Sequence, residues 1–85
     1  MEKIIYSTKG VCSRQIEIEV DNNIIVSCKF IGGCSGNTQG IGALVEGMSV
    51  NDAIARLDGI RCGFRPTSCP DQLAKALKEH LKENC

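Results

Sequence analysis

RQIEIEVDNNIIVSCKFI, residues 14 to 31, reads as a β-hairpin. Residues 14 to 20 alternate strictly, with Ile16, Ile18 and Val20 on one side and Gln15, Glu17 and Glu19 on the other. Period two belongs to a strand with one dry and one wet face. Asp21, Asn22 and Asn23 follow, residue types that bond locally and tolerate left-handed backbone. Residues 24 to 31 return as the second strand, and alternation puts Cys28 on the same face as Val26 and Phe30. Upstream, IIYS (4 to 7) is a short apolar run that reads as a third strand.

Beyond GGCSG the period changes. Ile41, Leu44, Val45 and Met48 recur at helix spacing, and Gly47 ends the segment. Gly40 and Gly42 each cost a helix about 1 kcal/mol relative to alanine, so close backbone packing is expected there. SVND (49 to 52) is a capping-box variant, with Ser49 as N-cap and Asp52 three residues on. Val50, Ala53, Ile54 and Leu57 then form a short apolar stripe closed by Gly59. A last helix starts near Pro70 and carries Leu73, Ala76, Leu77 and Leu81 on one face. Strands followed by helices predict an α+β fold: a three-stranded antiparallel sheet with three helices packed on one face. Residues 1 to 85 form one domain.

Ten basic and ten acidic residues are dispersed along the chain, without the basic cluster of a nucleic-acid interface. No apolar run approaches the roughly 18 residues of a membrane span. The start, MEKIIYSTKG, has no apolar core or cleavage site of a secretion signal, so the cytoplasm is the expected compartment. GGCSGNTQGIG is glycine-rich but lacks the Lys-Ser/Thr of a phosphate loop. No acid–base pair or histidine-assisted nucleophile stands out, so catalysis by this chain alone is not expected.

Six cysteines in 85 residues are the strongest signal. In a reducing compartment they read as metal ligands or reactive thiols rather than a disulfide framework. Cys28, inside a strand, reads as core, and Cys85 as a terminal free thiol. Cys12, Cys34, Cys62 and Cys69 each lie where an element ends or begins. Two of these positions open helices, whose partial positive charge favours a thiolate, the form that binds metal. No two are separated by only two residues, so spacing leaves three readings open: a four-cysteine metal site, a redox pair, or structural thiols. Lys9, Arg14, Arg61 and Arg65 lie close to this set, either to offset thiolate charge or as ordinary solvated side chains. His80 reads as a surface residue rather than a ligand.

TSCPD, residues 67 to 71, is the name-giving string of the TSCPD domain family. The chain resembles that family from KGVCS through IGGCSGN, LVEGM and IRCG to TSCPDQLAKAL. It is similar to the small free-standing branch, whose four cysteines fall here on Cys12, Cys34, Cys62 and Cys69. The same domain closes cobalamin-dependent ribonucleotide reductases, and stand-alone members are often labelled as reductases. A chain this short cannot hold that enzyme's barrel, radical site and cofactor, so the resemblance implies an accessory role.

The chain also resembles iron–sulfur cluster scaffolds of the NifU and IscU type, which implies an IscU-like fold and puts Cys12, Cys34 and Cys69 in the cluster-ligand places. It departs from them at Arg14, where they carry an aspartate, at Ser68, where a histidine is expected, and in the additional Cys62. Exchanging a labile carboxylate for a thiolate implies a closed site. Zn2+ is then the expected occupant and a retained Fe–S cluster the alternative. The implied partner is a protein, either a reductase or a cluster-assembly factor. Competing readings are a Cys62–Cys69 dithiol that delivers reducing equivalents to a ribonucleoside-diphosphate reductase, and a non-catalytic interaction domain.

Overall fold

The computed structural model describes residues 2–11, 13–32, 35–61 and 66–83. Three strands, β1 (Glu2–Ser7), β2 (Ser13–Asp21) and β3 (Ile24–Gly32), form an antiparallel sheet in chain order. Three helices follow: α1 (Ser35–Val45), α2 (Val50–Leu57) and α3 (Cys69–Glu83). The α+β order is the one expected from the sequence. Asn22 and Asn23 both take positive φ, 50° and 64°, as a two-residue hairpin turn matched to strand twist requires.

One face of the sheet carries the core. Ile16, Ile18, Val20, Ile25 and Cys28 are buried there against Val45, Val50, Ala53, Leu73, Ala76 and Leu77. Ile4, Tyr6 and Phe30 extend the layer at its margins. Simple alternation fails at one point in β3. Glu19 pairs with Ser27 but Val20 with Ile25, so Val26 is an extra residue in a β-bulge. The bulge turns Val26 outward, 43% exposed, and puts Ile25 into the core instead. Cys28 therefore shares its face with Phe30 and Ile25, not with Val26.

A second slip, between Ser13↔Gly32 and Gln15↔Ile31, leaves Arg14 as the extra residue at the other end of β2. Ser13 is consequently buried, instead of sharing the wetter side with Gln15 and Glu17.

α1 starts at Ser35, well before its apolar stripe. A Cβ on Gly42 would lie 2.6 Å from the Cys28 carbonyl oxygen, so α1 meets β3 backbone to backbone and only glycine fits. Gly40 has open space around it and no such need. Leu44 was expected in the stripe but is 76% exposed; Ile41, Val45 and Met48 alone face the core.

After α1 the chain runs back along β3, where Gly47 N–H donates to the Ile25 carbonyl and Ile25 N–H to that of Met48. Ser49 caps α2 by accepting the Asp52 N–H at 3.1 Å, as the capping box predicts. Asp58 and Gly59 then make a tight turn, with Gly59 at φ 85° and Ile60 N–H bonded to the Leu57 carbonyl. Among the described residues, no helix is long and apolar enough to cross a membrane.

Candidate functional site at the start of the last helix

The residues before α3 and in its first turn hold three parts of the chain together. Ser68 is the N-cap: its Oγ accepts the Asp71 N–H at 3.2 Å and its carbonyl accepts the Gln72 N–H. The same hydroxyl donates to the Ile60 carbonyl at 2.6 Å, fixing the end of the α2–α3 connection. Cys69 is the first helical residue and Pro70 the second, where a missing N–H leaves no helix bond unmade.

Asp71 is buried, and its carboxylate serves two partners outside its own helix turn. Oδ1 accepts the Gly59 N–H at 2.7 Å, and Oδ2 accepts the Thr67 hydroxyl and the Lys75 ammonium. Burial alone would raise its pKa. The hydrogen bonds from Thr67, Gly59 and Lys75, with the Lys75 charge, outweigh that and hold the carboxyl below its ordinary range.

Thr67 Oγ1 in turn accepts from Gln72 Nε2 at 3.0 Å, and Gln72 Oε1 accepts the Lys9 N–H at 3.0 Å. The β1–β2 connection is thereby tied to α3. Gly10 packs there at φ 73°, and a Cβ on it would lie 3.3 Å from the Thr67 methyl. Thr8 N–H bonds the Arg14 carbonyl across the same connection.

Cys69 is half-buried, and its Sγ lies 3.2 Å from the Ser13 Oγ. The slip at Arg14 is what turns Ser13 toward this sulfur. Cys12, Cys34 and Cys62, together with Arg65 and Cys85, lie outside the described residues. Among the described residues no three His, Cys, Asp or Glu side chains gather as a metal site would need; Cys69 is the one expected ligand described. Lys9, Arg14 and Arg61 are exposed.

A TSCPD domain model matches residues 2–81. The chain belongs to the TSCPD domain family. No curated protein and no solved structure matches it. The five residues that name the family are the clamp just described. Thr67 holds Asp71 and Gln72, Ser68 caps α3 and grips Ile60, Cys69 opens the helix and presents its sulfur, Pro70 follows in the first turn, and Asp71 fixes Gly59.

Two other sequence expectations resolve here. Cys28 is core, with its thiol pushed up to about 12 by burial and, secondarily, by the Glu46 carboxylate, which leaves it inert as a nucleophile. His80 is not a surface residue. It is 9% exposed, and its Nδ1 lies 3.6 Å from a Glu2 carboxylate oxygen at the start of β1. Ser13, Thr67 and Gln72 were not singled out from sequence, although Thr67 and Ser68 are residue types that cap helices.

Proposed function

We propose that this TSCPD domain is a cysteine-ligated metal module with Cys12, Cys34, Cys62 and Cys69 as ligands and Zn2+ as the ion. The reading rests on what meets around Cys69. Ser13, next in sequence to Cys12, touches the Cys69 sulfur. Gly32, two residues before Cys34, is paired with Ser13. Ile60, two residues before Cys62, is held by Ser68 beside Cys69. The stretches that carry Cys12 and Cys62 thus each have a neighbouring residue bonded at the start of α3, and the stretch that carries Cys34 is joined to it through Ser13. With about 3.8 Å between consecutive Cα atoms, those ties are short tethers.

The donor chemistry supports a closed site. Four thiolates suit tetrahedral Zn2+, and the same set suits a retained Fe–S cluster as the alternative occupant. The net charge of about −2 left on such a zinc–thiolate centre would be offset by Lys9, Arg14 and Arg61 nearby in sequence. Ser13 supplies a hydroxyl that can donate to the Cys69 sulfur and orient it. Binding would add directly to the stability of a small core. The module serves as an accessory to a ribonucleotide reductase or to iron–sulfur and thiol metabolism, docking on a protein partner.

Elemental analysis of protein purified without chelators tests the reading. It predicts zinc, or iron with sulfide, at stoichiometric level, and a melting temperature that falls when EDTA is added. Metal-free protein whose melting is indifferent to EDTA overturns it. Two fast-reacting thiols in such a sample would favour dithiol redox chemistry instead.

A further inference from the structure

Away from the cysteines, α1 and α2 leave a groove of about 330 Å³ lined by Ile41, Leu44, Met48 and Leu57, with Asp52 and Arg56 beside it on α2. Leu44 is the most exposed large hydrophobic residue described, at 76%, although the groove next to it is apolar. Ile41, Met48 and Leu57 are only half-buried against the core. Asp52 and Arg56 are exposed and stand one helical turn apart with opposite charge. Among the described residues neither charge has an ion-pair partner.

An interface about a twofold axis must be its own complement, because the same patch faces itself reversed. This patch contains both halves of each contact: a protruding leucine beside a hollow, and an acid beside a base. A strongly acidic or basic partner would instead call for a rim of one sign. We propose that the groove is the interface of a homodimer. Leu44 of each copy seats in the other's groove, and Asp52 pairs with the partner's Arg56. None of the residues that line the groove belongs to the clamp at the start of α3.

Sedimentation equilibrium in reducing buffer over a micromolar concentration series is the test. The wild type should sediment at twice the chain mass. Leu44→Glu, with an unchanged circular dichroism spectrum, should weaken association about tenfold or more. Asp52→Arg and Arg56→Asp should each weaken it, and an equimolar mixture of those two variants should recover it. A wild-type monomer at every concentration overturns the proposal, as does a dimer indifferent to Leu44→Glu. A mixture that associates no better than its components overturns the Asp52–Arg56 pairing and the reciprocal geometry with it.

Discussion

Replacing Asp71 by asparagine keeps the shape of the side chain and removes its charge and one of its acceptors. In the native protein Gly59 N–H, the Thr67 hydroxyl and Lys75 all donate to this carboxylate. The amide nitrogen cannot accept, so either the part-buried Gly59 N–H or the buried Thr67 hydroxyl hydrogen loses its acceptor, at about 1–3 kcal/mol. The Lys75 pair adds little, about 0.3–0.5 kcal/mol, because its ammonium is half exposed. Loss of a negative charge in the first turn of α3 adds about 0.3–1 kcal/mol.

Together these give about 2–4 kcal/mol, against a total of ~4–13 kcal/mol for a chain of this length. Urea unfolding followed by circular dichroism, with metal content matched between proteins, measures the difference. The pH dependence is a second constraint. Because the folded carboxyl sits below its ordinary value, its contribution is complete above pH ~4 and disappears as pH falls through the folded pKa. The gap between wild type and Asp71→Asn should therefore be full at pH 7 and narrow in acid. A gap under about 0.5 kcal/mol at pH 7, or one unchanged down to pH ~3, would refute the clamp.

The packing makes further predictions. Gly42→Ala should cost about 1–3 kcal/mol because its Cβ meets the Cys28 carbonyl, whereas Gly40→Ala should be neutral or stabilising; equal effects in denaturant melts would contradict the α1–β3 contact. Gly10→Ala should cost at least ~1–2 kcal/mol, from positive φ and from crowding Thr67, read as a lowered urea midpoint. The bulge in β3 predicts that Val26→Thr stays within about 0.5 kcal/mol of wild type, while Ile25→Thr loses about 2 kcal/mol or more. Leu77→Ala, at a fully buried position, should lose about 2–5 kcal/mol.

The hairpin, the capped second helix and the amphipathic third helix were legible because each is encoded locally, in period, turn residues and caps. What escaped depended on tertiary partners. Alternation assigns Val26 to the core until a register slip against β2 moves Ile25 there, and nothing in residues 24 to 31 announces that slip. Leu44 fits the helical stripe by spacing, yet α1 reaches the sheet through Gly42 and leaves Leu44 in solvent. His80 looked like a surface residue because its partner, Glu2, lies at the other end of the chain.

At the candidate site, Asp71 is a residue type that suits the positive end of a helix, while its grip on Gly59 needs the folded chain. Ser13 and Cys69 are 56 residues apart in sequence, and only the irregularity at Arg14 brings the hydroxyl to the sulfur.

Metal stoichiometry across a cysteine panel tests the central claim most directly. Wild type, Cys85→Ser and the serine variants of Cys12, Cys34, Cys62 and Cys69 would be purified without chelators and analysed for zinc and iron. The account predicts roughly one zinc per chain, or a cluster's worth of iron, in wild type and Cys85→Ser, with sharply reduced metal in each of the other four. Metal retained undiminished in Cys34→Ser and Cys69→Ser, or absent from wild type, would contradict it.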